Sequence, residues 1–146
     1  MEKKILVVDD EVSIRDLLKD TFSNAGYGVR LAEGAEQAFD ILKEEDIRVI
    51  FLDLKLFGMN GIELCKQIRK TNPITIIFAM TGWAALYEIE ECREAGFDDF
   101  FKKPANTDIL LKAVDDAFEK LDRWQGRYSS IIDDPVEDAK RTRGFS

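Results

Sequence analysis

The sequence contains no histidine and only two cysteines among its 146 residues. Without histidine there is no Ser-His-Asp triad, no imidazole ligand for zinc and no histidine phosphocarrier. Cys65 and Cys92 cannot complete a four-thiolate zinc site. Two thiols also do not make the disulfide framework of a small secreted domain, so they read as free thiols in a reducing compartment. Long apolar runs are missing as well. Nothing approaches the ~18 consecutive apolar residues of a membrane span. Met1-Glu2-Lys3-Lys4 leads into only a short hydrophobic stretch, so no signal peptide is expected, and the expected location is the cytoplasm. Nor is there an excess of base. Twenty-one Lys and Arg stand against 29 Asp and Glu, a formal net charge of −8. Direct nucleic-acid binding, which relies on cations neutralising phosphates, is not expected.

What is present suffices for a core. Hydrophobic residues make up 45% and charged residues 34% of a chain whose length suits one domain. Five short apolar runs alternate with amphipathic stretches. The runs are Ile5–Val8, Val29–Ala32, Val49–Leu52, Ile74–Met80 and Phe100-Phe101. Three are almost wholly apolar, as strands buried on both faces of a parallel sheet are, and two are mixed, as edge strands are. The stretches between them carry helical stripes: Ile14, Leu17, Leu18 and Phe22; Ala35, Ala38, Phe39 and Leu42; Ile62, Leu64, Cys65 and Ile68; Leu86, Ile89, Cys92 and Ala95; Leu110, Val114, Ala117, Phe118 and Leu121. Gly26 and Gly96 stand where left-handed caps would close two of these helices, and Asn106 or Thr107 would cap the last. Strand and helix alternating five times predict a doubly wound α/β sandwich. From Arg123 to Ser146 the period is lost, and the segment reads as a partly flexible tail with one short ordered piece near Tyr128–Ile132. There is no internal repeat and no low-complexity tract.

Polar residues interrupt the strand ends. Asp9 and Asp10 follow the first strand, Asp53 the third, Thr81 the fourth and Lys103 the fifth. In an open parallel sheet, ligands bind outside the carboxyl ends of the strands, where strand order reverses. All five residues are therefore expected in one crevice. Two carboxylates ~4 Å apart repel by roughly 4 kcal/mol at an effective dielectric of 20. A hard divalent cation with oxygen ligands relieves this, and magnesium fits. A lysine, a hydroxyl and magnesium around a carboxylate are what a transferring phosphoryl group needs, and an aspartate can itself be the nucleophile. Taken singly, each residue has an ordinary role: a capping turn for Asp9 and Asp10, a solvated charge for Asp53 or Lys103, a helix cap for Thr81, core for Phe100. The acidic residues Glu88, Glu90, Glu91 and Glu94 read as a solvated helix face. The ordered conjunction at the strand ends is what favours a phosphoryl-transfer site.

Ile5-Leu-Val-Val-Asp9-Asp10-Glu, Phe51-Leu-Asp53-Leu-Lys, Met80-Thr81-Gly and Phe101-Lys-Lys103-Pro104 resemble the receiver domain of two-component response regulators, in order and spacing, over residues 3 to about 121. The resemblance implies a flavodoxin-like α/β fold: a five-stranded parallel sheet of order 2-1-3-4-5 with five helices, the receiver ending near residue 122. It implies that Asp53 accepts a phosphoryl group from a histidine kinase or phosphotransfer protein. Asp9, Asp10, Asp53 and the backbone carbonyl of Lys55 would hold Mg²⁺. Thr81 and Lys103 would contact the phosphoryl group, Thr81 and Phe100 would form the switch, and the Lys103–Pro104 bond would be cis. The chain would be a monomer or a weak dimer formed through the fourth helix, fifth strand and fifth helix.

Departures from the family pattern also carry information. Leu56 and Phe57 stand where the family commonly has Met-Pro, and Gly58 and Gly61 are expected to keep the loop flexible. Lys55 and Trp83 occupy positions that flank the path of hydrolytic water, a pairing that resembles phosphorelay regulators. They are expected to prolong the aspartyl phosphate, or Trp83 to point outward as a partner anchor. Phe100 lacks the hydroxyl of the commoner tyrosine. With no effector domain expected after the receiver, output goes to a protein target or onward along a phosphorelay. The alternatives are a receiver fragment of a hybrid kinase or transcription regulator, and an aspartyl-phosphate hydrolase of haloacid dehalogenase type.

Overall fold

The fold is that of a computed structural model, which describes residues 2–83, 85–103 and 105–132. In chain order the elements are β1 (Lys4–Val8), α1 (Val12–Asn24), β2 (Gly28–Ala32), α2 (Ala35–Glu44), β3 (Val49–Asp53), α3 (Gly61–Thr71), β4 (Ile76–Thr81), α4 (Leu86–Ala95), β5 (Asp99–Lys102) and α5 (Thr107–Ile132). The strands form one parallel sheet ordered β2-β1-β3-β4-β5. This is the flavodoxin-like sheet, with its switch of direction between β1 and β3. All residues of β3 and β4 are buried, whereas β2 and β5, at the edges, are mixed. Two apolar layers cover the sheet. Ile5, Val7, Phe51 and Phe78 pack with α1 and α5, and Leu6, Val8, Ile50, Leu52 and Ile77 pack with α2, α3 and α4.

Several local expectations are met for the reasons given. Gly26 and Gly96 have φ of +95° and +104°, a region costly for side chains with a Cβ. Asn106 caps α5, its Oδ1 accepting from the Asp108 amide at 2.8 Å. Both cysteines are free and buried, and burial pushes the Cys65 thiol up to about 12.

Other expectations are corrected. Ile74 is exposed and outside β4. Arg69, on α3, donates to the Pro73 carbonyl at 3.1 Å and to the Thr75 carbonyl, so the ladder starts only at Ile76, whose amide donates to the Arg48 carbonyl. On α1, Leu17 faces outward and Arg15 joins Leu18 and Phe22 on the buried side. On α4, Leu86 is exposed. Past the boundary expected at residue 122, α5 runs on through Arg123 to Ile132, so the short ordered piece expected near Tyr128 is the end of that helix. Gly126 does not stop it, since one glycine costs a helix only ~1 kcal/mol. Residues 133–146 and Pro104, with the expected cis bond, lie outside the described residues.

Gly61 is not a source of flexibility. It is buried at the start of α3, and its amide donates to the Leu54 carbonyl at 3.0 Å. A Cβ there would overlap the Asp53 carbonyl oxygen and lie 2.8 Å from Leu54 Cα. Both neighbours are backbone and cannot turn aside, so glycine is what allows the loop after β3 to close against its own strand. Gly61→Ala should destabilise the fold by about 2–3 kcal/mol, at the upper end of overpacking costs. Urea denaturation of both proteins checks this, and an unchanged midpoint would show that the loop is free to move away.

Candidate functional site

The carboxyl ends of β1, β3, β4 and β5 open into a crevice of about 760 Å³ lined by Asp10, Glu11, Asp53, Lys55, Thr81, Trp83 and Lys103, among others. Asp9 is buried and pairs with Lys103, which lines that crevice. Each strand delivers its residue by ending there. The Asp9 amide still pairs with the Ala32 carbonyl of β2 at 3.1 Å, and the Lys103 amide pairs with the Thr81 carbonyl at 2.7 Å.

The Lys103 ammonium is the hub. It lies 2.6 Å from Asp9 Oδ2, 3.1 Å from Asp53 Oδ2 and 3.6 Å from Glu11 Oε1. Burial works against the Lys103 charge, but its hydrogen bonds to, and attraction by, Asp9 and Asp53 outweigh this and hold its pKa above the ordinary lysine value. Asp9 is fully buried, and burial raises its pKa despite the Lys103 and Glu11 hydrogen bonds that oppose the rise. Its Oδ1 accepts from the Glu11 amide at 2.9 Å. Its Oδ2 pairs with the Lys103 ammonium. Asp53 is buried at the end of β3, with Oδ1 accepting from the Lys55 amide at 3.1 Å.

Carboxylate oxygens of Asp9, Asp10, Glu11 and Asp53 lie within 4.8 Å of one another. An all-oxygen cluster of four carboxylates sharing the Lys103 ammonium suits a hard divalent cation rather than a soft one. Among the described residues this is the group of acids that could hold a metal.

The remaining expected residues are placed less uniformly. Thr81 is buried, and its hydroxyl donates to the Trp83 carbonyl at 2.9 Å. Trp83 lines the crevice, yet it is 69% exposed and does not roof it. The Lys55 ammonium reaches across to α4 and pairs with Glu88 Oε2 at 2.6 Å. Phe100 is half-buried against the layer that holds Cys92 and Ala95.

Three residues were not anticipated. Arg15 is buried on α1 and donates from Nη1 to the Asp9 carbonyl at 2.7 Å, with Glu33 of the β2–α2 turn 3.6 Å from Nη2. Its signal was a charge spaced with Leu18 and Phe22 on the buried side of a helix. Glu88, expected on a solvated face, is buried: Lys55 bonds one oxygen, and the Ala85 amide donates to the other at 3.3 Å. The Lys55 hydrogen bond chiefly holds its carboxyl below the usual range. Its signal was an acid in the third position of a helix, where it meets free amides. Gly61 carries a requirement for close approach that pattern alone does not show.

A doubly wound sheet with acids, a threonine and a lysine at these strand ends defines a phosphoryl-accepting signalling domain. The family description "Response regulator receiver domain" matches residues 5–115, and the chain belongs to that family. The chain is 37% identical over 114 residues to sporulation initiation phosphotransferase F of Bacillus subtilis (strain 168), covering 78% of this chain and 92% of that protein. It is 34% identical over 106 residues to a cyclic di-GMP phosphodiesterase of Thermotoga maritima, covering 73% of this chain but only 28% of that one. Among solved structures it resembles a CheY-like response regulator receiver domain protein from Methanospirillum hungatei JF-1 (31% identity, TM-score 0.79, 87% of this chain and 99% of that chain). It also resembles the chemotaxis protein CheY4 of Vibrio cholerae (28% identity, TM-score 0.76, 80% and 99%). Receiver domains bind Mg²⁺ at an acidic pocket and work with histidine kinases or phosphotransfer proteins. No described helix is long and apolar enough to cross a membrane.

The raised pKa of Asp9 makes a prediction about stability. A carboxyl whose pKa is higher folded than unfolded binds its proton more readily in the fold, so its contribution favours folding below the unfolded value and is lost as pH rises through the folded value. The raised pKa therefore favours the metal-free fold less at neutral pH than in acid. Asp9→Asn should raise the metal-free thermal midpoint relative to wild type more at pH 7 than at pH 4, the difference shrinking as pH falls. Thermal scans across pH with a chelator read both effects.

Proposed function

We propose that Asp53 is the residue that takes the phosphoryl group, with Asp9, Asp10, Asp53 and the Lys55 carbonyl holding Mg²⁺ and with Lys103 and Thr81 contacting the transferred group. The observation that supports this is one ammonium seated between Asp9 and Asp53 at the mouth of the central strand. One carboxylate oxygen of Asp53 forms a bond to phosphorus as the phosphorus–nitrogen bond of a partner's phosphohistidine breaks, and that electron pair leaves with the imidazole. Magnesium, when bound, adds positive charge against the phosphoryl oxygens. Lys103, already 3.1 Å from Asp53, pairs with one of those oxygens, and the Lys55 amide holds the carboxylate in place.

Thr81 carries the signal onward. Its hydroxyl gives up the Trp83 carbonyl and turns to the new phosphate, freeing the β4–α4 connection. Phe100 follows by rotating into the vacated space, and the face of α4, β5 and α5 changes shape for a downstream protein or a second copy. The reaction takes place in the cytoplasm, and the phosphoryl group is held for that target or for the next carrier of a relay. Trp83 serves this proposal as a partner anchor rather than a shield, since most of its indole faces outward.

Asp53→Asn should keep the fold and gain no mass on incubation with acetyl phosphate and Mg²⁺, whereas the wild-type chain gains one hydroxylamine-sensitive phosphoryl group. Undiminished labelling of the variant would sink the assignment. Trp83→Ala should label normally and lose its phosphate at a rate within twofold of wild type. A decay several times faster would make the indole a shield after all. Intact mass spectrometry over time reads both variants.

A further inference from the structure

Lys55 lies on the wall between two hollows. One is the crevice over Asp53. The other is a cleft of about 520 Å³ between the β3–α3 loop and α4, lined by Asp10, Lys55, Phe57, Glu88 and Glu91, among others. Its four-carbon stem gives the ammonium reach into either. In the structure the ammonium lies on the α4 side, 2.6 Å from Glu88 Oε2. Glu88 is suited to hold it there. It is buried in the first turn of α4, and the Ala85 amide fixes its other oxygen. The exposed acids Glu90, Glu91 and Glu94 of the same helix have no described ion pair.

We infer that Glu88 is a positioning residue that sets the lifetime of the aspartyl phosphate by holding the Lys55 ammonium out of the phosphoryl crevice. This rests on the reading of Asp53 as the phosphoryl acceptor. With the ammonium at Glu88, the approach to the phosphorus stays open to water between Lys55 and the outward-facing Trp83. Without the Glu88 charge, the densest negative charge within reach of Lys55 is the phosphoryl group. The ammonium then sits on its oxygens, across the path of the attacking water, and cannot act as a base at neutral pH. Hydrolysis slows. Lys55 is thus a shield that Glu88 keeps open, and α4, the helix that carries Glu88, is coupled directly to phosphate lifetime. A partner that shifts the first turn of α4 would change that lifetime without touching Asp53.

Glu88→Gln tests this with little damage to the helix, because the amide carbonyl still accepts from Ala85 while the charge facing Lys55 is lost. The full chain, Glu88→Gln, Lys55→Ala and the double variant are labelled with acetyl phosphate and Mg²⁺. Decay is followed by intact mass after the donor is removed. Glu88→Gln should decay three- to tenfold more slowly than wild type, and the double variant like Lys55→Ala. A second reading needs no phosphate: acylation of Lys55 by a succinimidyl ester, measured on the Lys55 peptide, should be at least threefold faster in Glu88→Gln. A slowing that persists in the double variant would mean that Glu88 acts through the helix and not through Lys55, and would overturn the inference. So would a Glu88→Gln decay equal to or faster than wild type, or unchanged acylation. If the wild-type chain takes no phosphate, the acceptor reading falls and this inference with it. Normal labelling with equal decay rates defeats this inference alone.

Discussion

The site depends on a single cation. Four acids crowd the carboxyl edge of the sheet, and two of them, Asp9 and Asp53, are buried. Crowding of this kind is unfavourable in a low-dielectric setting unless a positive charge is shared among the groups. Lys103 is that charge, largely buried itself and in reach of three of the four acids. Its position follows from β5 pairing in parallel with β4, which carries the chain to the Thr81 carbonyl and turns it inward. Four carboxylates against this one ammonium leave the described cluster short of positive charge. A site fully neutralised by its own side chains would have nothing to offer a divalent ion or a phosphoryl group.

Around this hub, backbone contacts fix what side chains alone would leave loose. Arg15 grips the Asp9 carbonyl from α1 and approaches the β2–α2 turn, so the loop bearing Asp9 and Asp10 is tied to two neighbours. Gly61 lets α3 begin against the backbone of Asp53 and Leu54. The β4–α4 connection is held differently, by one hydroxyl bond from Thr81 to Trp83 and by the Glu88 contacts at the start of α4. Two sides of the crevice are thus braced by close packing. The third rests, among the described residues, on a few polar bonds. Among the described residues, the β4–α4 side is thus the one held by fewer contacts.

Much of this was legible in the sequence, and for definite reasons. A strand buried on both faces must be apolar throughout, so Val49–Asp53 and most of Ile76–Thr81 announced themselves. An acid or hydroxyl at the end of such a run has few reasons to be there unless the strand end is a site, which made Asp9, Asp53, Thr81 and Lys103 readable together. Parallel pairing and right-handed crossovers left few topologies, and the resemblance to receiver domains implied the strand order among them. Period and strand ends depend on nearest neighbours along the chain, and these are written in it directly.

Only the tertiary structure decided which charges meet. Lys55 and Glu88 are 33 residues apart, and nothing local to either distinguishes an ion pair from two solvated side chains. Arg15 belongs to the buried side of α1 because the Asp9 carbonyl lies above it, and Leu17 is turned outward as a result. Ile74 leaves the strand because Arg69 takes the carbonyls on either side of it. The requirement for glycine at 61 comes from the backbone of Asp53, and the reach of α5 to Ile132 exceeds what its apolar stripe foretold. The sequence by itself determined the sheet, its layers and the acids at its edge, because burial on two faces and the ends of strands are local constraints. Long-range pairing of charges and backbone is a matter of distance in space, which becomes defined only when the layers close.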